Sequence, residues 1–438
     1  MTNDLDAAGV RRTVDAVWRI ESGRIIGALT RLMRDVGVAE ELAQDAVVAA
    51  LEQWPATGVP DNPGAWLMTS ARRRAIDRIR RRELHARNAD ALAFEIESQL
   101  ADAAPPSAES VVEATFDDPI GDDLLRLVFI ACHPVLSREA RAALTLRLVG
   151  GLTTVEIARG FLVSEATIAQ RIVRAKRTLT EARVPFELPP GPELGIRLAS
   201  VLEVIYLIFN EGYAATSGAD WTRPALCEEA MRLGRILAGL APDEPEVHGL
   251  VALMEIQASR LRARSGPQGE PVLLLDQDRA RWDRLLIGRG LAGLHRAEVL
   301  AAAPSTSQGL GPYALQAAIA ACHARAPAAA DTDWAGIAAL YDALSQIAPS
   351  PVIELNRAVA LAMAFGPAVG LEVVERLTRE PSLADYHLLP SVRGDLLYKL
   401  GRHAEAKAEF ERAAQMTQNV RERALLQSRA AGCAAGTG

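Results

Sequence analysis

The sequence predicts an all-α chain, and three observations carry that prediction. Ala and Leu abound while aromatic residues are only 5%, a mix that favours helices because Ala and Leu lose little side-chain freedom there. Apolar residues recur at helical spacing in segment after segment. Helix starts are marked in the text itself, by Asn62-Pro63 and by Ser164, an N-cap residue followed by a first-turn proline and a second capping hydroxyl.

The chain has 438 residues, which at roughly 150 residues per domain points to about three domains. Hydrophobic residues at 49% and charged residues at 24% are ordinary for a globular chain and exclude wholesale disorder. The net charge of −7 excludes a bulk polycation, so nucleic-acid binding requires a local basic patch. Cys132, Cys227, Cys322 and Cys433 are widely separated, which argues against a disulfide framework or a structural zinc site and fits a reducing cytoplasm. The start, MTNDLDAAGVRR, has no apolar signal-peptide core. The apolar run near Val201 to Phe209 is broken by Glu203 and is too short to span a bilayer. The expectation is a cytoplasmic, multi-domain helical protein without cofactor or metal.

The first unit is expected over residues 1–87. In VAEELAQDAVVAALEQW the apolar Leu42, Ala46, Val47, Ala50 and Leu51 share a face, and Glu41, Gln44, Asp45 and Glu52 lie elsewhere on the wheel. Pro55, Gly58 and Pro60 end that helix, and AWLMTSARRRAIDRIRRR forms the next. Residues 88–121 are acidic and contain Pro105 and Pro106, which reads as a linker. Residues 122–185 are periodic again. FELPPGPEL, within 186–195, reads as a hinge. From 196 to 438 the chain is helical and Ala/Leu-rich. There LLYKLGRHAEAKAEFERAA and LNRAVALAMAFGPAVGLEVVERL have the pattern of tetratricopeptide units, with turn glycines Gly366 and Gly401 spaced close to that repeat's roughly 34-residue period. Stacked helix pairs of this kind expose a concave protein-binding face.

Two constellations carry the chemistry. Arg72, Arg73, Arg74, Arg78, Arg80, Arg81 and Arg82 crowd about three turns of one helix. Their mutual repulsion makes sense opposite a polyanion, where phosphate contacts release counterions. Trp66, one to two turns upstream, is placed to stack on an unpaired base. A solvated basic face is the plain alternative. The second is a helix-turn-helix pattern in GLTTVEIARGFLVSEATIAQRIVRAKRTL. Ile157, Ala158, Leu162, Ile168 and Ile172 form its small core. Glu165, Thr167, Gln170, Arg171 and Arg174 are left to face outward, with a basic tail of Arg174, Lys176 and Arg177. Such side chains read base edges in a major groove. An ordinary helical hairpin is the plain alternative.

The order of arginine helix, acidic linker and basic helix-turn-helix resembles the bacterial extracytoplasmic function (ECF) sigma factors of the sigma-70 family. The resemblance covers roughly the first 185 residues, and 191 to 428 resembles the tetratricopeptide-like C-terminal extension of one subgroup, through YLIFNEGYAA, LDQDRARWDR, GPYALQAAIAACHA, TDW and SPVIELNRAVALA. It implies a sigma region 2 helical bundle whose Glu41, Gln44 and Asp45 meet core RNA polymerase, through its beta and beta-prime subunits. It implies −10 contacts from Trp66, Arg72, Arg73, Arg74, Arg78 and Arg81. It implies −35 contacts by region 4 from Glu165, Thr167, Gln170, Arg171, Arg174 and Lys176. The chain departs from the family at Arg73, where many members carry Asn in an A-R-N-x-A-I-D stretch. The linker would occupy a basic nucleic-acid channel as an RNA mimic, and the extension would regulate the factor and receive a protein partner.

The remaining signals are weaker. Cys132-His133 and Cys322-His323 are sequence neighbours, which seldom face each other on a helix. Asp276, Asp278 and Asp283 lie among Arg279, Arg281, Trp282 and Arg284. The cluster is suited to a metal or a phosphate but is read as an ion-pair network, because buried ions need partners. Asn210 to Tyr213 reads as a structural turn. Walker A and H-E-x-x-H motifs are missing, so no enzyme is expected. The alternative to a sigma factor is a helix-turn-helix regulator fused to a protein-binding helical scaffold.

Overall fold

A computed structural model describes residues 2–94, 120–161, 163–189, 191–214, 221–303 and 309–435. Among them every regular element is helical, apart from one isolated bridge between Ser265 and Pro271. The chain divides into two compact units, Met1–Val204 and Ile205–Gly438.

The first unit opens with three helices packed on one another, α1 (Thr2–Met33), α2 (Val36–Thr57) and α3 (Pro63–Phe94). Asp35 caps α2, its side chain accepting from the Val38 N–H at 2.9 Å. Asn62 caps α3 through the Ala65 N–H at 3.0 Å, with Pro63 at the first helical position. The core between them is Ile25, Ile26, Leu29, Leu42, Trp54 and Leu67. Helix α3 runs through Phe94, so the helix enters the segment that composition assigned to the linker. The rest of that acidic stretch, 95–119, lies outside the described residues.

Four further helices follow, α4 (Ile120–Ala131), α5 (Arg138–Leu148), α6 (Thr154–Phe161) and α7 (Glu165–Glu181). They enclose a second core of Leu127, Phe129, Leu144, Leu146, Ile157, Ile168 and Ile172. This core joins the first along a seam where α1 meets α4. The seam is tight at Gly27, where a Cβ would stand 2.9 Å from the Asp123 carbonyl oxygen.

Helix α8 (Gly191–Tyr213) begins inside the expected 186–195 hinge, and the unit boundary falls later, at Val204–Ile205. The first half of α8 is tied to the earlier helices. Arg197 donates to the Phe129 carbonyl at 3.0 Å and Ser200 Oγ to the Cys132 carbonyl at 2.8 Å, while Arg141 donates to Ser200 Oγ at 2.5 Å.

The second unit continues with α9 (Pro224–Leu240), α10 (Pro245–Ala258), α11 (Arg284–Ala301) and α12 (Pro312–Arg325). Helix α10 packs against both α11 and α12. Gly249 allows the closest approach, because a Cβ there would sit 2.7 Å from the Ala314 nitrogen. Six helices complete the unit: α13 (Trp334–Ile347), α14 (Pro351–Phe365), α15 (Pro367–Leu377), α16 (Leu388–Lys399), α17 (His403–Met416) and α18 (Val420–Ala435). Each packs chiefly on its sequence neighbours, α13 through Ile337 and Leu344 and the later helices around Leu355, Val374, Leu397, Phe410 and Leu426. Gly366 (φ 102°) and Gly401 (φ 75°) make the turns between α14 and α15 and between α16 and α17, in a left-handed region that glycine enters at low cost.

Candidate nucleic-acid interface

Helix α3 sorts its residues by face. Leu67, Ala71 and Ala75, four apart, are buried against the bundle. That register leaves Arg73, Arg80, Arg81 and Arg82 exposed and Arg72, Arg74 and Arg78 half-buried. Arg74 donates to Ser70 Oγ at 3.0 Å. Arg78 reaches across to α2 and pairs with Glu41 at 2.8 Å. Trp66 is half-buried, its ring edge-on to the buried Trp54 with centroids 5.4 Å apart. The helix thus presents a row of guanidinium groups beside an anchored indole, the two group types that grip phosphates and stack bases.

The outer face of α2 carries the exposed Glu41 and Asp45 and the half-buried Gln44. Two apolar residues share it, Val48 at 51% and Leu51 at 37% exposure. Sequence periodicity placed Leu51 on the buried face. Leu42, Ala46 and Ala50 are buried, but Leu51 is turned outward beside Val48. A mixed acidic and apolar face suits a protein partner better than a nucleic acid.

In the helix-turn-helix, Ser164 caps α7, accepting from the Thr167 N–H at 3.1 Å. Ile157, Ala158, Ile168 and Ile172 are buried as the pattern predicted, and Leu162 lies outside the described residues. Glu165, Gln170 and Arg174 are exposed and Arg171 is half-buried. Two residues differ from expectation. Thr167 is half-buried, and its hydroxyl is engaged with Ser164 Oγ at 2.8 Å. Lys176 turns toward the seam and pairs with the buried Glu40 of α2. It lines a cavity of about 600 Å³ there, with Arg31, Arg34, Arg183 and Phe186.

Glu40 is the residue that the sequence reading missed. It also accepts from Arg147 Nε of α5 at 2.6 Å. A charged residue lodged among the buried Ala39, Leu42 and Ala43 was the available signal. Two more ion pairs cross the seam: Arg31 with Asp123 at 3.3 Å, and Arg19 with Glu156. Burial raises the Glu156 carboxyl, but the Thr153 N–H and hydroxyl and the Arg19 guanidinium outweigh it and hold it below its usual range.

Neither cysteine-histidine pair is joined by a hydrogen bond among the described residues: His133 Nδ1 accepts from the Val135 N–H at 3.2 Å, and the His323 ring meets Trp334 edge-on. Cys132 is buried against Thr145 Oγ1 at 3.3 Å, and burial pushes its thiol up to about 11, far from a reactive thiolate. Among the described residues no group of three His, Cys, Asp or Glu is placed to hold a metal, and no helix is long and apolar enough to cross a membrane.

Comparison with known proteins matches these regions separately. Residues 19–84 match sigma-70 region 2, residues 126–179 match sigma-70 region 4, and residues 197–298 match a family of unknown function, DUF6596. The chain is 43% identical over 401 residues to an uncharacterized protein of Rhizobium meliloti (strain 1021), covering 92% of this chain and 91% of that one. It is 34% identical over 182 residues to the ECF RNA polymerase sigma factor SigK of Mycobacterium sp. (strain KMS), covering 39% of this chain and 86% of that one. The SigK of Mycobacterium tuberculosis (strain ATCC 25177 / H37Ra) is 31% identical over 168 residues, 36% of this chain and 78% of that one. No solved structure gives a significant match. With both sigma-70 regions in place on the first unit, the chain belongs to the ECF RNA polymerase sigma factors.

Proposed function

We propose that this sigma factor binds core RNA polymerase, through its beta and beta-prime subunits, and directs it to promoters in the cytoplasm. The outer face of α2, with Glu41, Gln44 and Asp45 flanked by Val48 and Leu51, is the polymerase-binding surface. Trp66 and the arginines of α3 capture the −10 strand, and Glu165, Gln170, Arg171 and Arg174 of α7 read the −35 element. No covalent chemistry is required. The work is phosphate neutralisation and the holding of unstacked bases. The second unit acts in cis as a tetratricopeptide-like interaction domain that regulates the first. Support for the regulatory role is the serial packing of α13 to α18 and the glycine turns at 366 and 401.

The observation that carries the reading is the separation of surfaces on one unit: an acidic-apolar face on α2, a cationic face on α3 and a capped recognition helix in α7. Run-off transcription with reconstituted holoenzyme on genomic fragments tests it. Discrete transcripts that depend on this protein are expected. Footprinting of duplex DNA by the protein alone, with no transcript, would instead indicate a polymerase-independent regulator.

A further inference from the structure

The interior of the second unit holds three arginines with no carboxylate paired to them among the described residues. Arg260 is 7% and Arg279 8% exposed, and Arg264 is half-buried. They are interleaved with aromatic rings. The Arg264 guanidinium lies 3.8 Å from the Tyr213 centroid and 5.4 Å from that of Trp221. Arg260 lies 5.8 Å from both Tyr213 and Trp282, and Arg279 lies 4.8 Å from Trp282. Shared rings therefore place the three guanidinium groups in one cluster.

Two of the three aspartates that the sequence offered as counter-ions are used elsewhere. Asp278 accepts from the Ala280 N–H at 2.9 Å, and Asp283 caps α11 through the Leu285 and Leu286 N–H groups at 2.9 and 3.1 Å. Asp331, whose field reaches Arg279, is exposed and accepts from the Ala328 N–H. Arg279 donates to the His323 and Ala326 carbonyls at 2.5 and 2.6 Å and to Thr332 Oγ1 at 3.2 Å. Arg260 donates to Gln257 Oε1. These acceptors are neutral, so among the described residues no carboxylate is bonded to the three guanidinium groups. His323 adds none: burial and the adjacent Arg260 and Arg279 lower its pKa to about 4, and it is neutral near pH 7.

Six buried nitrogens of this cluster make no hydrogen bond among the described residues: Nε of Arg260, Arg264 and Arg279, Nε1 of Trp221 and Trp282, and Nδ1 of His323. Buried charges and donors are retained where something pairs with them, because desolvation without a partner is costly. Guanidinium forks and indole N–H groups are donors suited to oxygen anions. Tyr213, Trp221 and Arg264 are only half-buried and form the solvent side, with Arg260, Arg279 and Trp282 beneath.

We propose that this cluster is an oxyanion-binding site, taking the phosphate or carboxylate group of a small molecule between Arg260 and Arg264. Such a site makes the second unit a ligand receptor, whatever partner its later helices engage.

Thermal unfolding and isothermal titration calorimetry of the full chain test it, with inorganic phosphate and acetate as probes against sodium chloride at matched ionic strength. Binding is expected to raise the melting temperature by about 2 °C or more at roughly ten times the dissociation constant, with one probe outperforming the other and so naming the group. Arg264→Gln, at a half-buried position, should fold normally and lose the shift and the heat of binding; Arg260→Met should do the same. The proposal is overturned if neither probe separates from chloride, or if Arg264→Gln retains the full shift.

Discussion

Glu40 on α2 and Arg147 on α5 meet at 2.6 Å across the seam between the two sigma regions, although they stand 107 positions apart. The same carboxylate receives Lys176 from α7. One buried anion thus holds two cations from region 4 against region 2. Replacing Glu40 with Gln leaves both cations facing a neutral amide. It should lower unfolding free energy by about 1–3 kcal/mol in urea titrations. Because Glu40 is 5% exposed, the loss should persist at high salt, where a surface pair would already be screened. An unchanged midpoint would show that the seam draws nothing from this pair.

The seam also carries a steric contact. A Cβ at position 27 would press on the Asp123 backbone at 2.9–3.0 Å, where no flexible side chain can yield. Gly27→Ala should therefore cost about 1–3 kcal/mol by overpacking, without altering charge. Unfolding curves would read this, and a neutral or stabilising effect would mean that α1 and α4 part easily.

The sequence made the local half of this architecture readable. Ser164, Asn62 and the buried Ile157, Ile168 and Ile172 follow from capping rules and helical period, which act within a few residues. What it hid depends on distant partners. Lys176 read as part of a basic tail because Glu40, its partner, is far away in sequence. Leu51 fitted the apolar face of α2 on spacing alone, yet it points outward beside Val48. The Asp276–Arg284 stretch read as an ion-pair network, whereas Asp278 and Asp283 cap helices and Arg279 binds carbonyl groups.

A pH dependence follows from His323. Its pKa is lowered to about 4 by burial and by Arg260 and Arg279, against about 6.5 in an unfolded chain. The unfolded state therefore binds more protons between those values, and stability falls as pH drops through that window. The loss should reach on the order of 2–3 kcal/mol near pH 4. Melting curves between pH 7 and 4 would show it, and His323→Gln should flatten the profile. Equal slopes for both proteins would assign the dependence to other groups.

Arg81 is exposed on the cationic face of α3. Charge reversal by Arg81→Glu should weaken promoter-complex formation by the holoenzyme at least about tenfold. The slope of log affinity against log salt should fall by about one or more. Thermal stability should hold, since the residue has no packing role. Unchanged promoter opening would remove α3 from the −10 contact surface.

The central claim is that this chain works as part of RNA polymerase, and co-elution of the full-length protein with sigma-free core polymerase tests it most directly. A stable complex is expected by size-exclusion chromatography, weakened when Asp45→Arg and Leu51→Asp alter the outer face of α2. Failure of the unaltered protein to enter the complex, together with promoter footprints made by the protein alone, would contradict it.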